Sequence, residues 1–144
     1  MRFMLIVKAS KDSEAGQMPS PELIAAMQAY NEELVKAGVL VAGEGLHPSA
    51  GGVRIAYPAP GGQPVVTEGP FAETKELIAG FWILEVKSRE EALQWALRAP
   101  DPHGGGEGQL ELRQVFGDEE LIDDPELLRK ETELRQMVEQ RGEL

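Results

Sequence analysis

The chain has no cysteine and only two histidines in 144 residues. Without thiols there is no disulfide framework, no thiolate metal site and no cysteine nucleophile, and a reducing compartment is allowed. His47 and His103 each stand alone in a Gly/Pro-rich loop, with no second ligand at i+2 or i+4, so their spacing points to no metal centre. Basic residues are few and scattered: a formal charge of −11 and a pI near 4.6 repel a phosphate backbone, which argues against nucleic acid as a partner. The glycine clusters GEG, GG and GGGEG lack the lysine and the strand-turn-helix context of a phosphate cradle, and no redox cofactor motif is visible, so no cofactor is expected. There is no GxSxG elbow; Ser49 lies near His47, but the sequence assigns it no acidic partner. The opening run MRFMLIVKAS is closed early by Lys8, is too short for a membrane span and has no small-residue cleavage pattern. It reads as a first strand, and the expected location is the cytoplasm, away from membranes.

A chain this long is enough for one domain with a real core. The charge divides it: residues 118–144 hold ten acids against four bases, so −6 of the −11 lies in the last 27 residues. Residues 1–117 therefore read as a folded domain and 118–144 as an acidic helical tail.

Alternation of Phe3, Leu5 and Val7 against Met4, Ile6 and Lys8 predicts a strand apolar on both faces, hence central in its sheet. Residues 11–20 are polar and small, a connection. Ser20-Pro21-Glu22 then supplies a capping oxygen, a proline at the first helical position and an acid in the first turn, and Leu23, Met27, Tyr30 and Leu34 mark one helical face before Gly38. Strands follow over 39–46, 52–58 and 65–68, the last two as a hairpin around PAPGGQP, and then over 78–87. Ser88 and Glu91 are spaced as a reciprocal capping box for a second helix ending near Ala99, where Pro100 and Pro102 stop it. HGGGEG reads as flexible, and QLELRQV as a last strand with one wet face. Asp124-Pro125-Glu126 opens a further helix whose Leu127, Leu134 and Val138 form a thin apolar stripe. The resulting order, β-α-β-β-β-α-β with room for one more central strand, is a mainly antiparallel α+β arrangement of the ferredoxin-like split βαβ type. Strands apolar on both faces leave one sheet face in need of cover, and a sheet-to-sheet homodimer supplies it economically.

TEGPFAETKELIAGFWILEV, Thr67 to Val86, is the most informative stretch. Gly69-Pro70 makes a tight turn, Phe71 offers an aromatic plane, and Glu68, Glu73, Lys75 and Glu76 set both signs of charge around it directly before the most apolar strand. Such a loop suits a site; the same charges, if they only neutralise one another on the surface, contribute ~0 to 1 kcal/mol.

The combination VLVAGEGL (Val39–Leu46), VVTEGPFAETKE (Val65–Glu76), GFW (Gly80–Trp82), EEALQWA (Glu90–Ala96) and ELR (Glu111–Arg113) resembles the YCII-related family, in the branch named for its DGPF motif. The resemblance covers roughly residues 2–116. It implies a dimeric α/β-barrel protein of ferredoxin-like halves, in a family proposed to contain enzymes and often found in bacteria beside extracytoplasmic-function sigma factors. Glu68 stands where the motif has aspartate, one methylene longer. Smaller members are thought to use a histidine on the first helix with a nearby aspartate; Pro21 to Ala37 contains no histidine, so that pair does not carry over.

Two function classes follow. In one, an unknown small molecule sits in a pocket at the dimer's sheet face. Glu68 or Glu73 is then a candidate general base, Lys75 or Arg54 holds an anionic group, His47 carries protons, and Phe71 and Glu76 line the mouth. The reaction class is acid–base chemistry on a small carbonyl compound. In the other, the chain is a non-catalytic accessory or ligand-sensing dimer, with the loop as a clasp of salt bridges and the acidic tail meeting a protein partner.

Overall fold

The computed structural model describes residues 1–142, so the tail's last two residues lie outside it. Strand β1 (Arg2–Lys8) leads through a one-turn helix α1 (Lys11–Glu14) to α2 (Pro21–Lys36) and β2 (Leu40–Gly45). The hairpin β3 (Val53–Ala56) and β4 (Val65–Glu68) comes next, then β5 (Ile78–Glu85), α3 (Arg89–Arg98) and β6 (Leu110–Gln114). A short α4 (Asp118–Leu121) and the long α5 (Pro125–Gly142) complete the chain.

Four strands form one sheet in the order β2-β5-β1-β6, every neighbouring pair antiparallel. The strand-helix-strand unit β1-α2-β2 is thus split by β5, and β5-α3-β6 is split by β1, with four strands, the optional central one included, between α2 and α3. The hairpin is a separate two-stranded sheet.

Alternation along β1 and β5 decides where the core lies. Phe3 and Leu5 face the same side as Trp82 and Leu84, and that side is covered by Tyr30 and Leu34 of α2 and Ala92 of α3. Leu5, Leu34 and Leu84 are fully buried, and truncating any of them to alanine would cost about 2–5 kcal/mol through the cavity left behind. Two buried aromatics lock helix to sheet: the Tyr30 and Trp82 rings meet edge-on at 5.3 Å, the Tyr30 hydroxyl donates to the Trp95 carbonyl at 2.8 Å, and the Trp82 indole donates to Asn31 Oδ1 at 2.7 Å. Burial pushes the Tyr30 phenol up to about 12, because the anion would lose its water.

The helix starts follow their caps. Ser20 Oγ accepts from Leu23 N at 3.1 Å, as its Ser-Pro-Glu setting predicts. At α3, Ser88 Oγ accepts from Glu91 N at 3.1 Å, but the expected reciprocal bond is displaced: Glu91 Oε2 accepts from Lys87 N at 2.9 Å, one residue earlier. A second departure is α1, in a segment expected to be a bare connection. Ser10 and Ser13 cap each other there, with Ser13 N donating to Ser10 Oγ at 3.0 Å and Ser10 N to Ser13 Oγ at 2.9 Å. In the HGGGEG segment, Asp101 Oδ1 accepts from His103 N at 2.9 Å and Asp101 Oδ2 from Gly106 N at 2.6 Å. Those amide donors, His103 first, hold the Asp101 carboxyl below its usual range.

Candidate functional site

Strand polarity brings the loops together. The C-terminal ends of β1 and β2 and the N-terminal ends of β5 and β6 share one edge of the sheet, tied by Lys8 N to Gln109 O at 3.0 Å, Ala9 N to Leu77 O at 3.0 Å and Leu46 N to Ala79 O at 2.7 Å. The loops after β2 and β4, and α1 after β1, are therefore anchored to the same edge.

Ser49 is where they are joined. Its hydroxyl donates to Glu14 Oε1, its N–H donates to Glu14 Oε2 at 2.9 Å, and its Oγ accepts from Phe71 N at 3.0 Å. Glu14 reaches it because the serine-capped turn of α1 ends there. Gly69 N donates to Gly52 O at 2.9 Å, and the backbones are so close that a Cβ at Gly69 would overlap the Ser49 carbonyl. The Gly69-Pro70 bond is cis. On this base the Arg54 guanidinium lies 3.9 Å from the Phe71 ring centroid, a cation–π contact that orients both side chains.

Of the sequence-predicted residues, the fold thus brings Arg54 and Phe71 into contact. Glu68 ends β4, opposite Val53 in the hairpin. Glu73, Lys75 and Glu76 form an exposed turn closed by Glu76 N donating to Glu73 O at 2.9 Å. Among the described residues, the side chains of Glu68, Glu73, Lys75, Glu76 and His47 enter no hydrogen bond and no ion pair with the chain. Among the described residues, no ion pair joins Lys75 to its flanking acids.

Sequence reasoning missed Glu14, the acidic partner of Ser49. A usable signal was present: Ser10 and Ser13 are spaced as a cap pair, which turns Lys11–Glu14 into a helical turn and aims the carboxylate at its end. The contact itself spans 35 residues and has no local signature. A groove of about 700 Å³ lies elsewhere, between α3 and β6, lined by Leu93, Leu97, Pro100, Leu110 and Leu112, with none of the loop residues in it.

The YCII-related domain model matches residues 1–131, and the chain belongs to that family. The match continues into α5. An uncharacterized protein of Rhizobium meliloti (strain 1021) is 36% identical over 70 residues, which are 49% of this chain and 55% of that protein; the chain spans about half the length of this curated relative. Among solved structures, a 5-chloro-2-hydroxyhydroquinone dehydrochlorinase from Burkholderia phenoliruptrix AC1100, in complex with 2,5-dihydroxybenzoquinone, is similar at 19% identity and a TM-score of 0.43, over 83% of this chain and 98% of that one. No helix among the described residues is long and apolar enough to cross a membrane.

Proposed function

We propose that this YCII-related chain binds a small molecule and performs acid–base chemistry on it. It does so as a cytoplasmic homodimer of the DGPF branch, whose ferredoxin-like halves enclose the site between their sheets. One observation carries the reading: the loop from Glu68 to Glu76 is pinned at its base by Ser49 and Glu14, yet its charged side chains find no partner among the described residues. A surface clasp spends its charges on itself; a binding loop holds its backbone rigid and keeps its charges for the ligand. Glu68 or Glu73 acts as general base, Lys75 and the ring-stacked Arg54 hold an anionic group or a developing oxyanion, and His47 relays protons. Glu76 and Phe71 shape the mouth.

Native mass spectrometry of the chain purified without added ligand tests this, followed by the same measurement on Glu68→Gln and Lys75→Met. A dimer with a reproducible retained mass that both substitutions remove, at unchanged melting temperature, supports the site. Lowered stability with an unchanged ligand profile makes the loop a structural clasp and refutes it. A second reading, a non-catalytic accessory dimer, draws on α5, whose Leu127, Leu134, Met137 and Val138 are all exposed and free to meet another protein. Co-purification of such a partner, lost on truncation of α5, separates the two.

A further inference from the structure

Helices in proteins take most of their stability from packing an apolar face, yet none of the 18 residues of α5 is buried. Its side toward α4 is marked by Arg135, which bonds Asp118, and by Leu128 and Glu131, one and two turns earlier on the same side and half-buried. A neighbouring side is apolar and open. At 3.6 residues per turn, Leu127, Leu134, Met137 and Val138 fall within about 100° of arc, and they are 43% to 65% exposed. The stripe singles out one face of the helix, clear of the side that α4 holds.

The groove of about 700 Å³ between α3 and β6 is the complementary surface, and no residue of α5 lines it. Leu110 and Leu112 lie opposite Val7 and Leu5 in the register, so they belong to the core side of the sheet. At the edge strand they stay half-buried, and Leu93 and Leu97 beside them are 38% and 72% exposed. The lengths match: the stripe from Leu127 to Val138 is ~16 Å long at 1.5 Å per residue, and the ten residues of α3 make a wall of ~15 Å. Charge sets the direction. Arg89, where α3 begins, lines one end of the groove, and Asp101, beyond the end of α3, lines the other. Helix α5 begins among Asp123, Asp124 and Glu126 and carries Arg141 in its last turn. With its start at Arg89, opposite charges meet at both ends, whereas the reverse direction sets like against like at both. Among the described residues, neither Arg89 nor Arg141 makes an ion pair.

We infer that α5 of one chain lies in the α3–β6 groove of a second copy, its Leu127, Leu134 and Val138 against Leu93, Leu97 and Leu110 of the partner subunit. The occupant is a second copy because Arg135 ties α5 to α4 of its own chain, outside its own groove. Every chain carries both the helix and the groove, so exchange about a two-fold axis forms the contact twice. The doubling matters: one helix over ~15 Å of groove covers only part of the ~1,200–2,000 Å² of a stable interface. The inference goes beyond the proposed function, since the groove holds none of the loop residues and the contact needs no meeting of sheet faces.

Disulfide trapping in the full-length chain tests the contact, since the native sequence has no cysteine. Leu97→Cys and Leu134→Cys chains, mixed in equal amounts and oxidised, should give a cross-linked dimer that neither chain gives alone. Leu93→Cys should be trapped by Leu127→Cys in preference to Val138→Cys, because the charges set the start of α5 at Arg89. In sedimentation velocity over a range of concentrations, Leu97→Asp and Leu134→Asp should each weaken self-association by about 30-fold or more, as loss of a central apolar contact does. Their circular dichroism spectra should be unchanged, because both positions are exposed in the single chain. No trapped dimer, trapping that prefers Val138, or self-association indifferent to both aspartates overturns the inference. So does a disulfide that closes within one chain carrying both Leu97→Cys and Leu134→Cys, since it seats α5 in its own groove.

Discussion

Ser49 joins three segments through one hydroxyl, so its removal tests how the candidate loop is held. Ser49→Ala leaves Phe71 N and Glu14 Oε1 without their partner, while the backbone N–H at that position still donates to Glu14 Oε2, and should lower stability by about 1 to 3 kcal/mol. Thermal melting measures this; a change within error would mean that the loop takes its shape without the serine. Tyr30 offers a pH test of the core. Its phenol ionises near 10 in the unfolded chain and is pushed to about 12 in the fold, so the folded state holds the proton more tightly between these values. The associated stability is full below pH 10 and is lost as pH rises toward 12, and the melting temperature should fall across that window. Tyr30→Phe should flatten that decline while lowering stability by ~1 kcal/mol at neutral pH, since the Trp95 carbonyl loses its donor. Residues of this kind were half legible. Tyr30 and Leu34 fell on the predicted apolar face, but the identity of their partners depended on contacts across the chain.

At the scale of elements, the tail helix is held by charge more than by packing. Arg135 Nε and Nη2 donate to the two oxygens of Asp118 at 2.5 and 2.6 Å, while α5 has no buried residue. The Arg135 hydrogen bond keeps the Asp118 carboxyl below its usual range, so this tie is present above the ordinary carboxylate value of 3.8 and is lost as pH falls through the depressed one. Acidification below 3.8 should release α5 from α4. At one fixed pH above that value, limited proteolysis should cut between the two helices sooner in an Arg135→Ala chain than in the parent, whereas below it the two chains should be cut alike; equal rates at both would remove the tie as the cause. Helix starts were legible because caps are local: Ser20, Ser88 and the Asp124-Pro125 start lie beside the turns they open. The turn α1 offers no periodicity over its four residues, and its one local signal was the Ser10 and Ser13 cap pair.

For the whole molecule, the sharpest expectation concerns the acidic tail. No residue of α5 is buried, and the core cluster draws only on the sheet, α2, α3 and their flanks. A chain ended at Gly117 should unfold cooperatively within a few degrees of the full-length protein in calorimetry. A collapse of its melting transition would show that the tail covers the sheet in the assembled state.

What the amino-acid sequence by itself determined was periodic and local: α+β class, the strands and long helices to within a residue or two, the hairpin, and the loop signature at 65–76. Period-two and period-3.6 patterns are written residue by residue, so they survive without knowledge of contacts. Only the tertiary structure decided that the hairpin stands apart from the main sheet and that Glu14 reaches Ser49 across 35 residues. Those outcomes depend on which strand edges and which polar groups find partners, and such pairing is settled by the free energy of the whole packed chain, with no trace in a short window of sequence.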